Sequence, residues 1–172
     1  MSVSPYLVPA HDVMHRPGEL RERLLEFPAP EQLGEAVAVV TAGSPIRVEL
    51  RLEGLHDGVL VTGVVGTAAS AECVRCLDPV DVPVEVEFQE LFAYSEDEAF
   101  DFAIRDDHVN LESVVRDAVV LALPFQPVCR PDCPGLDPVT GEKLPDGVRS
   151  QHREETDPRW AALESFRPTE TD

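Results

Sequence analysis

The chain has 172 residues, 43% of them hydrophobic, which is enough for one core with extensions. Fourteen basic residues stand against 33 acidic ones, and a formal charge of −19 repels polyphosphates and attracts basic partners, so broad nucleic-acid contact is disfavoured. No apolar run nears the ~20 residues that span a bilayer, and Met1-Ser2-Val3-Ser4-Pro5 lacks the basic-then-apolar pattern of a signal peptide, so a soluble cytoplasmic protein is expected.

Sixteen prolines point to long loops rather than a helical bundle. Residues 1–16, with Pro5 and Pro9, read as an extended arm. From Pro17 to Leu25, leucines at 20, 24 and 25 share one face at helical spacing and predict a short helix, stopped by Pro28 and Pro30. Arg16, Arg21 and Arg23 form a local basic patch in this region.

From residue 46 the period becomes two. Ile46, Val48, Leu50 and Leu52 alternate with Arg47, Glu49, Arg51 and Glu53, the pattern of a strand with one wet face. Asp57-Gly58 signals a turn, and the β-branched run 59–65 supplies the hairpin partner. Gly63 and Gly66 hint at a bend or bulge in it. Residues 67–72 read as a third strand. After Pro79, Val82, Val84, Val86 and Phe88 alternate with polar residues until the parity slips at Leu91, as a β-bulge would require.

Residues 85–107 hold nine acids and one base, so Ser95–Glu98 reads as a solvated loop; Phe100, Phe102 and Ile104 read as a further short strand. Asn110 suits the N-cap of a helix whose Leu111, Val114, Val115, Ala118, Val119 and Ala122 form one apolar face, ended by Pro124. Residues 134–156 have no apolar period and read as irregular. Asp157-Pro158 opens a C-terminal helix over 157–168, with Trp160, Leu163 and Phe166 placed to dock on the body or on a partner, the body being the favoured option.

All four cysteines fall into two tight pairs, Cys73-Val74-Arg75-Cys76 and Cys129-Arg130-Pro131-Asp132-Cys133. Two such pairs can supply the four thiolates of a closed tetrahedral zinc site. Thiol redox chemistry and disulfides are the alternatives. The first pair lies between strands and is followed by Leu77-Asp78-Pro79, so the helix N-terminus that activates a redox thiol is missing. The histidines at 11, 15, 56, 108 and 152 are scattered, and the adjacent acids Asp97-Glu98 and Asp106-Asp107 have no nucleophile beside them. No phosphate-binding glycine loop is present. No catalytic residue is assigned.

The order of these features is distinctive: a β-rich middle, Cys73-Val74-Arg75-Cys76-Leu77, an acidic stretch, Asn110-Leu111 opening a helix, Leu121-Ala122-Leu123-Pro124, then the second cysteine pair. Together they resemble the YceD family, also called DUF177, and Cys129–Leu136 is similar to the form of actinobacterial members. The resemblance implies one domain over 1–172 that serves large-subunit ribosomal RNA accumulation and ribosome assembly without catalysis. It also implies a basic partner, since family genes often adjoin that of a small, basic, often zinc-bearing ribosomal protein. Many relatives carry a further Cys-x-x-Cys-Gly where this chain has Asp137-Pro138-Val139-Thr140-Gly141.

The combined expectation is an α+β fold: a curved antiparallel sheet of about five strands, packed by one main amphipathic helix, with short N- and C-terminal helices and long Pro-rich loops. A structural zinc held by Cys73, Cys76, Cys129 and Cys133 would tie the loop after the helix to the sheet. The functional expectation is an acidic adaptor for a basic ribosomal protein or a pre-large-subunit particle. A direct RNA-binding assembly factor and a thiol- or metal-dependent enzyme are the alternatives.

Overall fold

The computed structural model describes residues 4–35, 37–95, 101–148 and 159. Among them are eight strands and one helix. The centre is a meander of long antiparallel strands: β4 (Pro45–Gly54), β5 (Gly58–Glu72) and β6 (Pro79–Ala93). Alternation drives it. Ile46, Val48, Leu50 and Leu52 of β4 are buried while Arg47, Glu49 and Arg51 face water. Leu55–Asp57 joins β4 to β5, with the Leu55 N–H donating to the Gly58 carbonyl at 2.8 Å.

β5 and β6 pair in one unbroken register from Gly58 opposite Ala93 to Glu72 opposite Pro79. This corrects two expectations. Residues 67–72 are the end of β5 rather than a third strand, and neither Gly63 nor Leu91 marks a bulge. Gly63 is required because the Phe88 ring lies where a Cβ would stand, 2.5 Å from it. Leu91 keeps its parity and sits opposite Leu60 on the second face of the sheet, with Glu90 half-buried on the first. A cross-strand leucine pair therefore accounts for the apparent slip.

The predicted N-terminal helix is a strand. β2 (Leu20–Pro28) pairs along its whole length with β4, from Leu20 opposite Glu53 to Pro28 opposite Pro45. Arg23, Leu25 and Phe27 turn inward and Leu24 outward at 53% exposure. Good helix formers such as Leu, Arg and Glu masked the period of two, and the backbone groups along the β4 edge decided the outcome.

The rest of the sheet is short. β3 (Ala38–Val39) pairs with β5 opposite Ser70 and Ala71. β7 (Phe102–Ala103) pairs with β6 in parallel, so the sheet is not purely antiparallel. The order β2-β4-β5-β6-β7 is open, not closed into a barrel. A separate ribbon joins β1 (Leu7–Pro9) to β8 (His108–Asn110). Only Leu7–Pro9 of this region is strand, and residues 11–15 form turns rather than an extended arm; Tyr6, Val8, Ala10 and Val13 are buried, and the Ala10 N–H donates to the Asp107 carbonyl at 2.8 Å.

The helix α1 (Glu112–Ala122) packs on β6 and buries Val114, Val115 and Val119; Ala122 is exposed. Asn110 lies one position before the cap residue, Leu111, and its Oδ1 accepts the Glu112 N–H at 3.0 Å. Leu123 is extended, as the residue before Pro124 must be. Beyond Cys133 the described chain, to 148, holds turns and one isolated bridge, Leu136 to Lys143. The expected helix over 157–168 lies, apart from Arg159, outside the described residues, as does the loop segment 96–98.

Candidate metal centre

The first cysteine pair is the hairpin turn that joins the two longest strands. Glu72 and Pro79 close the ladder, and residues 73–78 form the loop. Within it the Cys73 N–H donates to the Asp78 carbonyl at 2.8 Å, and the Leu77 N–H donates to the Cys73 carbonyl at 2.8 Å. Leu77 takes a left-handed φ of 62°, which bends the chain back and turns both sulfurs to one side.

The second pair arrives from the end of α1. The Val74 N–H donates to the Pro127 carbonyl at 2.9 Å, docking the post-helix loop on the hairpin tip. The Arg75 guanidinium then bridges the two knuckles, donating to the carbonyls of Pro131 at 3.0 Å and Cys133 at 3.1 Å. The Cys133 N–H closes the second turn on the Arg130 carbonyl at 3.1 Å. Gly135, at φ 85°, lets the chain pass Arg75; a Cβ there would stand 3.2 Å from the Arg75 carbonyl oxygen.

The four sulfurs all lie within 4.8 Å of one another. Cys73 and Cys133 are 3.9 Å apart at Sγ, and Cys76 and Cys129 are 3.7 Å apart. All four are free thiols, three buried and Cys129 exposed. A tetrahedron with sulfur–metal bonds of ~2.3 Å has edges of about 3.8 Å, so the cluster is compatible with a metal site.

Electrostatics point the same way. Burial opposes a Cys73 thiolate, but N–H groups of Cys129, Cys76 and Arg75 outweigh it and bring the thiol down to about 6. At Cys76 the Asp78 N–H favours the thiolate, yet burial and the sulfurs of Cys73, Cys133 and Cys129 push it up to about 12. Burial and Cys133 raise Cys129 as well. Thiols this close resist ionising together, and a divalent cation among them would hold all four as thiolates. Beside the cluster, Lys143 Nζ pairs with Asp78 Oδ1 at 2.5 Å and holds that carboxyl below its usual range.

Asp137 and Thr140 are not part of the cluster among the described residues. Their turn nevertheless has the shape of the first knuckle. The Gly141 N–H donates to the Asp137 carbonyl and the Asp137 N–H to the Glu142 carbonyl, each at 2.8 Å, with Gly141 at φ 71°. These bonds repeat, residue for residue, those of Cys73, Leu77 and Asp78. Asp137 Oδ1 accepts the N–H groups of Val139 at 2.8 Å and Thr140 at 2.9 Å, which lowers its pKa and closes the turn without sulfur.

Other side chains considered from the sequence are not gathered into a site. Asp106 and Asp107, both at positive φ, form an exposed tight turn between Arg105 and His108. His11 pairs with Asp12, His15 stacks on Tyr94, and His108 Nδ1 lies 2.6 Å from the Asp106 carbonyl. Sequence reasoning missed Arg75 and the Asp78–Lys143 pair. The signal for Arg75 was its place inside a knuckle, where bare carbonyls need a donor.

Comparison with known proteins bears on what this centre serves. The family profile described as Large ribosomal RNA subunit accumulation protein YceD matches residues 61–167. Uncharacterized proteins of Mycobacterium bovis and Mycobacterium tuberculosis are each 40% identical over 177 residues, covering 98% of this chain and 84% of theirs. One of Mycobacterium leprae is 35% identical over 169 residues, covering 94% of this chain and 77% of its own. No solved structure matches.

Proposed function

The chain belongs to the YceD family, and from that membership we propose that it is a non-enzymatic cytoplasmic factor for large-subunit ribosomal RNA accumulation, acting as an acidic adaptor for a basic ribosomal protein or pre-large-subunit particle. Cys73, Cys76, Cys129 and Cys133 would hold a structural zinc. Four sulfur ligands close the coordination shell, so such an ion offers no open position for substrate and serves the fold.

The observation that carries the adaptor reading is the second face of the sheet. α1 packs on one side, while Leu24, Glu49, Val64 and Glu87 line up across β2, β4, β5 and β6 on the other. The neighbouring rows are Glu26, Arg47, Gly66, Glu85 and Glu22, Arg51, Thr62, Gln89. The two arginines are already paired along their strand, Arg47 with Glu49 at 2.8 Å and Arg51 with Glu53 at 3.8 Å. What remains is a broad surface with half-buried apolar residues along β5 and, on β6, the acids Glu85 and Glu87, which form no ion pair among the described residues. It repels phosphate backbones and complements lysine- and arginine-rich protein.

The test is binding of purified basic large-subunit ribosomal proteins to the wild type and to Glu85→Lys/Glu87→Lys, in rising salt and after nuclease. The adaptor reading predicts a nuclease-resistant complex that the double variant weakens. Retention of RNA alone, lost on nuclease treatment, would sink it in favour of direct RNA binding.

A further inference from the structure

The outer edge of β6 is a row of backbone groups that the sheet leaves open. β6 pairs with β5 on one side, and on the other only Phe92 and Ala93 have a neighbour, β7. From Pro79 to Leu91 no described residue pairs with that outer side. Hydrogen bonds at the end of the strand fix which residues face outward. The Tyr94 N–H donates to the β5 side, onto the Asp57 carbonyl, and the Ala93 carbonyl accepts from the outer side, from the Ile104 N–H. Directions alternate along a strand, so Asp81, Glu85, Glu87 and Gln89 turn both N–H and carbonyl to the open edge. Pro83, which has no N–H to give, falls in the same outward series. The side chains of this series are exposed on the second face of the sheet. Val84 and Phe88 are buried on the first, where Val82 and Val86 also pack against the core.

We propose that this edge accepts an added β-strand from a basic partner protein, an extended segment in which lysine or arginine alternates with apolar residues. The inference rests on the adaptor reading for its partner and adds the mode of binding. Charge selects the occupant. β6 holds four acids, Asp81, Glu85, Glu87 and Glu90, and no base. A strand laid beside it brings basic side chains level with Glu85 and Glu87 on the acidic face, and apolar ones level with Val84 and Val86 on the other. Main-chain hydrogen bonds supply affinity and the alternate side chains supply selection. A second copy is a poor occupant, because β6 against β6 sets acids opposite acids in chains of net charge −19. The same acids that keep like chains off the edge admit a basic strand. RNA is a poor occupant too, since it has no peptide backbone to extend the ladder and brings phosphates to these carboxylates. The opposite sheet edge, β2, carries Arg21 and Arg23 beside Glu22 and Glu26 and lacks this bias.

The probe is the end-blocked heptapeptide Thr-Val-Lys-Val-Lys-Val-Thr, whose alternate residues face opposite sides of an added strand. Binding is read by NMR hydrogen exchange of backbone amides in the full chain. The proposal predicts that peptide at about ten times its Kd slows exchange of the Glu85, Glu87 and Gln89 amides by about tenfold. Two analogues of unchanged charge carry N-methyl groups, one on its valines, the other on its threonines and lysines. An added strand turns the N–H groups of one set to β6 and those of the other to solvent. One analogue therefore binds as the parent does, and the other binds about a hundredfold more weakly. Equal binding of all three would overturn strand addition and leave the adaptor reading standing, with the acidic face taking basic chains unpaired. Absence of slowing at the three amides would overturn it as well, while retention of purified ribosomal proteins decides the adaptor reading separately. Protection of those amides before any peptide is added also contradicts it. Protection that grows with concentration would point to a second copy, and protection that does not would point to the chain's own residues.

Discussion

At the scale of single residues, the centre depends on Arg75 as much as on its sulfurs. One guanidinium satisfies two carbonyls of the opposite knuckle, at 3.0 and 3.1 Å. Removing it leaves all four thiols in place but frees the two turns to move apart. Groups that orient ligands from behind are worth 10–100-fold in metal affinity. Arg75→Ala is therefore expected to lower zinc affinity by about that factor, measured by competition with a chromogenic chelator, with four thiols still titrating. Equal affinity in the variant would show that the knuckles hold their shape unaided. The cysteines were legible in the sequence because spacing alone restricts where two sulfurs can point. Arg75 was not, because its partners are backbone atoms some 56 and 58 positions away. Asp137 and Thr140 were legible as departures from a pattern, but not as a turn that keeps the knuckle's hydrogen bonds with a carboxylate at its head.

At the scale of elements, legibility followed the strength of the period. Ile46 to Leu52 alternates without interruption, and β4 formed as read. β2 did not, since adjacent Leu24 and Leu25 satisfy a helix and conceal the alternation of Arg23, Leu25 and Phe27. The two readings differ on Leu24. A helix would bury it with Leu20 and Leu25, whereas the strand turns it to solvent and gives Phe27 to the core, edge-on to Tyr6 with ring centroids 4.8 Å apart. Leu24→Ala is expected to change unfolding free energy by less than about 0.5 kcal/mol, while Phe27→Ala costs about 2 kcal/mol, below the fully buried range because Phe27 is half-exposed. Urea unfolding of the two variants decides it; equal losses would contradict the strand. β1 and β8 escaped sequence reading for another reason. Three-residue strands carry almost no period, and their pairing joins Leu7 to Asn110 across most of the domain.

At the scale of the whole molecule, the cysteine centre reinforces a junction between the hairpin tip and the loop after α1 that is otherwise held by packing of α1 and by a few hydrogen bonds, such as that from the Val74 N–H to the Pro127 carbonyl. A link between residues about 60 apart, as from Cys73 to Cys133, removes roughly 4 kcal/mol of chain entropy from the unfolded state by loop-closure arithmetic. Stripping the metal with a chelator is accordingly expected to lower the melting temperature by about 10 °C for a domain of this size. Scanning calorimetry with and without chelator reads the shift, and coincident transitions would remove the clip from the account. In the proposed adaptor role the acidic surface would act at the same scale but through the long-range field, so binding of a basic partner is expected to fade with salt while the clip's effect on stability persists.

The measurement that bears most directly on the central claim is metal content by native mass spectrometry, on protein purified without added zinc, for the wild type and Cys129→Ser. The account predicts one zinc per wild-type chain and loss of that ion when the exposed fourth sulfur is removed. A wild-type chain that carries no metal and titrates four free thiols would contradict it, and would leave any role in ribosome assembly to the acidic sheet face alone.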